Sequence, residues 1–272
     1  MTSVKNLKVA VAGLGAVGLP VARWLAAGVP GYDLVAVSAG NKERAKDKIA
    51  DFKVKPPIVD LNEVVDMADI IVEGLPPERY FDLAEPAIEK GKTLVAVTVT
   101  QLLERPDLIE KAKETGARII VPTGALMAFD AVNAARYGTI HSLVMATRKP
   151  PKGLVKAPFV VEQGIDLSDL KEPLCLYKGS VRDAAQKFPA NVNVAVALSL
   201  AGAGPDETQY EIWADPAVDR NTHTVKLDSD STRFEFTIAG VPTEENPATG
   251  KLTPLSVMAT LEGMVSPLRI GA

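Results

Sequence analysis

Cysteine is almost absent: the 272-residue chain has one, Cys175. A single thiol excludes an intramolecular disulfide framework and a cysteine-rich zinc site. It also makes a reducing, cytoplasmic compartment the expectation. Histidine is nearly as scarce, with only His141 and His223. No His/Cys/Asp group has the spacing of metal ligands, so no metal is expected. Aromatic residues make up 5% of the chain and no block of like charge appears, which argues against a nucleic-acid partner. Long apolar runs are missing too. Residues 9–22 are uncharged but interrupted by three glycines and Pro20, and residues 188–205 carry Asn191, Asn193, Gly202 and Gly204. A membrane-spanning helix needs ~20 mainly apolar residues, so neither is expected to cross a bilayer. The N-terminus shows no small-residue cleavage site after an apolar core, and a soluble protein is expected.

What is present is globular: 47% hydrophobic residues, 24% charged and a net charge of −4. The length predicts two domains or one large one. Over residues 1–123, short Val- and Ile-rich runs alternate with helical patterns. The runs are LKVAVAG (7–13), DLVAVS (33–38), ADIIVEGLP (68–76), KTLVAVTV (92–99) and ARIIVP (117–122). Val17, Val21 and Leu25 recur at helical spacing after the first, and PDLIEKAKETG is a helix before the last. Strands alternating with helices predict an α/β, Rossmann-type, doubly wound parallel sheet.

After Gly124 the pattern changes. GALMAFDAVNAARYG reads as a helix ending at Gly138, HSLVMATRK (141–149) and PLCLYKG (173–179) as strands, and FPANVNVAVALSLAGAG (188–204) as a buried helix. YEIWADP, HTVKLDS and RFEFTIAGV alternate with a period of two, as strands of an antiparallel sheet do, and PLSVMATLEGM (254–264) reads as a final helix. A second, α+β domain with a mainly antiparallel sheet is expected over 124–251.

The first turn carries the clearest chemistry. Gly13-Leu14-Gly15-Ala16-Val17-Gly18 fits G-x-G-x-x-G between the first strand and the first helix. There the first glycine permits a tight turn, the second lets backbone amides approach a pyrophosphate, and the third lets helix and strand pack. The helix N-terminus adds unpaired N–H groups and a partial positive charge. Pro20 is tolerable if the helix begins close to Val17. A dinucleotide lying across the carboxyl ends of the parallel strands would also meet Leu75 and Pro76, Thr98, and Gly124 with Ala125. The second strand ends without the carboxylate that commonly binds the ribose of NAD. Ser38, Asn41, Lys42 and Arg44 stand there instead, a set suited to the 2′-phosphate of NADP. NADP, or use of both dinucleotides, is therefore expected, with solvated positions on a surface helix as the alternative for Lys42 and Arg44.

Hydride transfer usually needs a group that moves a proton. His141 opens an apolar strand and reads as structural. His223 sits among Asp219, Arg220 and Asn221, groups able to fix its tautomer. Cys175, between Leu174 and Leu176, reads as a buried core thiol rather than a nucleophile. Lys149 is the first candidate to hold a substrate carboxylate, with a solvated surface lysine as the alternative.

Several segments together resemble one family, L-aspartate dehydrogenase. They are VAGLGAVG, PTGALMAFDAV, RKPPKGL (148–154), YKGSVRDAAQKFPANVNVAVALSLAG (177–202), ADPAVDRNTH (214–223) and ENPATGKLTPLSVMATL (245–261). The resemblance covers nearly the whole length. It implies a homodimer, and a last helix of about 252–266 packed back on the first domain. It also implies oxidation of L-aspartate to iminoaspartate with NAD or NADP, the product hydrolysing to oxaloacetate and ammonia or feeding NAD synthesis. The family's catalytic histidine falls on His223, and its FPxNxNVA block places Asn193 near the nicotinamide and the reacting centre. Asp219 is expected to orient His223, which would assist deprotonation of the substrate amine; Lys149, Asn221 and Met127 would contact the substrate. Two segments depart from the family pattern. GAIGGLD is here Gly124-Ala125-Leu126-Met127-Ala128-Phe129-Asp130, and NPKTS is Asn246-Pro247-Ala248-Thr249-Gly250. Three alternatives stay open: an NAD(P)-dependent dehydrogenase of another small acid or amine, a cysteine-dependent nucleotide-sugar or semialdehyde dehydrogenase, and a non-catalytic dinucleotide sensor.

Overall fold

A computed structural model describes residues 5–189, 192–246 and 249–271. The chain forms two compact units, one of residues 1–124 with 253–269 and the other of 125–252 with 270–272. In the first unit the elements run β1 (Leu7–Ala12), α1 (Gly18–Ala26), β2 (Tyr32–Ser38), α2 (Lys42–Lys48), α3 (Leu61–Met67), β3 (Ile70–Glu73), α4 (Tyr80–Glu89), β4 (Thr93–Ala96), α5 (Asp107–Thr115) and β5 (Arg118–Ile120). The strands pair in parallel in the order β2-β1-β3-β4-β5. Strand order reverses at β1, and it is outside the carboxyl ends of strands at such a point that open α/β sheets bind ligands. Val9, Ala10, Val11 and Ala12 are fully buried, as a strand covered on both faces must be.

α1 starts at Gly18 with Val17 as its cap, which puts Pro20 in the first turn, where its missing N–H costs no helix bond. α3 was not evident from apolar periodicity. Its signal is a capping box, in which Asp60 caps the helix and the Glu63 side chain accepts the Asp60 N–H.

The second unit contains α6 (Phe129–Ala135), β6 (Ile140–Lys149), α7 (Pro158–Glu162), β7 (Leu174–Ser180), α8 (Val181–Lys187), α9 (Asn193–Ala201), β8 (Gln209–Ala214), β9 (Thr222–Ser229) and β10 (Arg233–Ala239). Their sheet is ordered β10-β9-β6-β8-β7. Three of its pairings are antiparallel, but β6 and β8 run parallel. That pair departs from the plain alternating meander, because β7, α8 and α9 intervene before the chain returns beside β6. The helix expected from Gly124 begins only at Phe129. Gly124 and Ala128 both hold positive φ, +64° and +59°, which no helix accommodates. α9 is apolar all round and buried from Ala195 to Ser199, and a Cβ on Gly202 would come within 2.8 Å of Leu143 and Val132. Ala190, Asn191, Pro247 and Ala248, in the FPANVN and NPATG segments, lie outside the described residues.

The last helix, α10 (Leu252–Val265), belongs to the first unit from Thr253 onward. Val257 and Leu261 join the cluster of Val9, Val11 and Val21, and the Tyr32 hydroxyl donates to the Leu261 carbonyl at 2.5 Å. Among the described residues no helix is long and apolar enough to cross a membrane.

Candidate functional site

The candidate site of the first unit is made of backbone. Gly13 holds φ +96°, and a Cβ there would lie 2.3 Å from the Gly74 carbonyl oxygen. A Cβ on Gly18 would lie 1.9 Å from the Gly13 carbonyl oxygen, so helix and turn touch where only glycine fits. Gly15 is different: a Cβ there meets nothing within 4 Å. Its bare backbone faces open space, as a turn that receives a diphosphate requires. Leu14 is buried and its carbonyl accepts Lys48 Nζ at 2.6 Å; Ala16 and Val17 are half-buried.

The strand ends beside this turn are bound together by a residue that the sequence reading passed over. Glu73, the last residue of β3, is fully buried. Its Oε1 accepts the Leu75 N–H at 2.7 Å and the Thr98 hydroxyl at 2.8 Å. Its Oε2 accepts the N–H groups of Val97 at 3.0 Å and Thr98 at 2.9 Å. Burial pushes its carboxyl above the usual range while these four donors pull the other way. A charged residue ending the apolar run ADIIVE was the available signal. Leu75, Thr98 and, by continuity, Pro76 therefore have their backbone set by one carboxylate.

At the end of β2, Ser38 is 5% exposed and no carboxylate follows it until Glu43. The Asn41 side chain caps α2 by accepting the Arg44 N–H at 2.9 Å, and Lys42 pairs with Asp60 at 2.8 Å. The Gly124 N–H donates to Ser256 Oγ at 3.0 Å.

The candidate site of the second unit is made of side chains. The buried face of the second sheet carries Leu143 and Met145 on β6, Ile212 and Ala214 on β8, and Val225 and Leu227 on β9. Towards the end of β6 this face turns polar, with Thr147, Lys149, Tyr210 and His223 all buried. Register places Thr147 opposite His223, and Lys149 follows on the same face two residues on. His223 Nδ1 lies 3.0 Å from Thr147 Oγ1, which accepts the Tyr210 hydroxyl at 2.9 Å. Burial, reinforced by the charge of Lys149, pulls the imidazole down to about 4, so it is neutral near pH 7. Burial alone brings the Lys149 ammonium from 10.5 to about 8. Among the described residues no group of His, Cys, Asp and Glu is arranged to hold a metal ion.

Residues 130–264 match the profile of a family described as aspartate dehydrogenase, C-terminal, and residues 13–122 match one described as homoserine dehydrogenase, NAD binding domain. An L-aspartate dehydrogenase 3 of Bordetella bronchiseptica is 49% identical over 272 residues, spanning all of both chains. The chain belongs to the aspartate dehydrogenase family. Another relative, L-aspartate dehydrogenase of Bradyrhizobium diazoefficiens, is 46% identical and covers 99% of this chain and 96% of its own. The crystal structure of aspartate dehydrogenase from Thermotoga maritima matches with a TM-score of 0.75, covering 98% of this chain and all of that one. At 23% identity this likeness establishes the fold.

Within this family fold, several expected site residues take other places. The hydrogen bonds of Asp219 go to Arg220 instead of His223. Asp219 is exposed and its two oxygens bind Arg220 at 2.7 Å each, while Thr147 occupies the histidine's Nδ1 edge. Lys149 is 6% exposed, which removes the reading of it as a solvated surface lysine. Cys175 is exposed rather than in the core. β7 is an edge strand, and its bulge turns Leu176 and Tyr177 inward in its stead. Burial and the neighbouring Glu211 push its thiol above the usual range, the wrong direction for a nucleophile. Met127 is half-exposed beside left-handed Ala128. Asn193 is the first residue of α9, and Asn221 is half-buried with its carbonyl accepting the Gly240 N–H at 2.8 Å. His141 is exposed near the start of β6. Thr147 and Tyr210 were not singled out in sequence, since a Thr and a Tyr inside strand-like runs carry no signal until register pairs them with His223.

Proposed function

We propose that the protein is an NAD(P)-dependent amino-acid dehydrogenase that oxidises L-aspartate to iminoaspartate, which water converts to oxaloacetate and ammonia. The observation that carries this reading is the buried Lys149–His223 pair on the polar end of the second sheet, inside the segment that matches the aspartate dehydrogenase profile. A dinucleotide, when bound, supplies the ring that takes a hydride from the substrate's Cα. Gly13, Gly15 and Gly18 would hold its diphosphate with backbone amides, and Leu75, Pro76 and Thr98 would border it on the Glu73-bound strand ends. The missing carboxylate after β2, with Asn41 and Arg44 beside Ser38, supports NADP over NAD.

The proton is handled by the second unit. A buried lysine brought to about 8 is matched to accepting a proton from an amino acid's ammonium group near neutral pH. His223, neutral throughout that range, contributes a hydrogen bond rather than a charge. Asn193, Asn221 and Met127 are proposed to shape the substrate's surroundings. A cytoplasmic homodimer completes the reading. For the dimer alone, Val144, Ala146 and Trp213, half-buried on the other face of the second sheet beside Arg148 and Glu211, offer a surface for a second copy.

The test is absorbance at 340 nm with L-aspartate, other amino acids, and oxo acids with ammonia, each with both dinucleotides. L-aspartate is expected to give the highest kcat/KM, with a lower KM for NADP than for NAD. kcat/KM should rise with pH through about 8, as Lys149 loses its proton, and show no inflection between about pH 5.5 and 7.5. Lys149→Met should lower kcat about 10²–10⁴-fold and abolish the rise near pH 8. An unchanged profile in that variant removes Lys149 from proton transfer, and no turnover of any amino acid despite dinucleotide binding favours a sensor.

A further inference from the structure

Tyr210, Thr147 and His223 form a chain of three polar groups joined by two hydrogen bonds, 2.9 Å from the Tyr210 hydroxyl to Thr147 Oγ1 and 3.0 Å from there to His223 Nδ1. Tyr210 and Thr147 are fully buried and His223 is 5% exposed. The two hydroxyl protons are enough to fill both links. With Tyr210 donating to Thr147, the acceptor left for the Thr147 proton is the Nδ1 lone pair. Were Nδ1 itself protonated, one hydroxyl hydrogen would be stranded whichever way the chain ran, and buried donors are very rarely left without partners.

We propose that Thr147 and Tyr210 are positioning residues that keep the proton of His223 on Nε2, so that the ring serves the reaction as a hydrogen-bond donor to a substrate oxygen. An Nε2 that carries hydrogen has no lone pair with which to take a proton. Proton acceptance therefore falls to Lys149, and the two groups divide the work: one donates a hydrogen bond, the other removes the ammonium proton. The imidazolium ion would bring a hydrogen to Nδ1 as well, so the same chain resists a charged ring. The role in the reaction rests on the reading of His223 as a substrate-binding group; the place of the proton rests on the three buried groups alone.

The experiment is a nitrogen–proton correlation spectrum of the full chain labelled with ¹⁵N-histidine, with His141→Gln removing the other imidazole. The expected spectrum has a protonated Nε2 and an unprotonated Nδ1, unchanged from about pH 5.5 to 8.5. Thr147→Val should move both nitrogen shifts towards the average of the two tautomers and lower kcat at least about tenfold. Thr147→Ser should keep the wild-type nitrogen pattern and recover most of the lost kcat. A proton on Nδ1 in the wild-type chain overturns the proposal, and so do wild-type nitrogen shifts in Thr147→Val. A spectrum as expected, with full turnover in both Thr147→Val and His223→Ala, overturns the ring's part in the reaction while leaving the place of its proton established.

Discussion

The turn after β1 and the polar end of the second sheet are built from opposite materials. In the turn, the proposed binding of a dinucleotide falls to the backbone: Gly13 and Gly18 are fixed by carbonyl oxygens that a Cβ would strike, and Gly15 offers main chain to open space. At the end of β6, the proposed chemistry falls to side chains that lie 76 positions apart in sequence, as Thr147 and His223 do, and meet only because β6 pairs with β9. A site made of backbone depends on what is missing, since side chains would fill it. A site made of side chains depends on register, and a slip of β6 by one residue would turn Thr147 and Lys149 to the other face from His223.

The strongest way to break the turn is Gly18→Val. The nearest obstacle to its Cβ is the Gly13 carbonyl oxygen at 1.9 Å, part of the main chain that cannot rotate away. Overpacking of this kind costs about 1–3 kcal/mol or more. The variant is expected to lose soluble expression, or to melt at least about 5 °C lower with NADPH affinity down at least about 100-fold. Gly15→Ala separates fold from binding. Its methyl meets no protein atom, so the melting temperature should stay within about 2 °C while affinity falls about tenfold. Thermal melts beside a fluorescence titration with NADPH read both quantities, and equal damage from the two variants would erase the distinction.

That contrast also explains what was legible in the sequence. The parallel sheet was readable because each strand is a short run of Val and Ile closed by Gly or Pro, and the glycine turn because its spacing is local. The parallel pairing of β6 with β8 was not, since β7, α8 and α9 separate the two strands. His223 could be picked out as a scarce residue in a polar segment, but its partner could not. Asp219 is near in sequence and Thr147 is near in space, and only strand register decides between them. Glu73 was hidden by its position: a single acidic residue ending an apolar run reads as the edge of a strand until its four donors are seen.

Glu73 sharpens the comparison because it is a side chain that acts on backbone. Glu73→Gln keeps the shape but replaces one acceptor oxygen with an NH₂ group, so one or two of the backbone donors at Leu75, Val97 and Thr98 lose their partner, while the Thr98 hydroxyl can turn to the Leu75 carbonyl 3.1 Å away. Each orphaned buried donor costs about 1–3 kcal/mol, offset in part by removal of a buried charge. A net loss of about 1–3 kcal/mol in urea unfolding is expected, with weaker dinucleotide binding. Unchanged stability would mean that the strand ends hold their shape without the carboxylate.

The smallest expected effect is the most discriminating for the polar end of the second sheet. Asp219 lies four residues from His223 in sequence, yet both of its oxygens are engaged by Arg220 at the surface. Exposed pairs of this kind contribute little. Asp219→Asn should therefore leave kcat within about twofold and the pH profile unmoved, since it alters neither the Nδ1 partner nor the burial that sets the imidazole. A steady-state pH series on this variant beside Thr147→Val decides whether the histidine answers to its neighbour in sequence or to its neighbour across the sheet. A loss of tenfold or more in Asp219→Asn, with Thr147→Val near wild type, would transfer the orienting role to the carboxylate and leave strand register without a part in it.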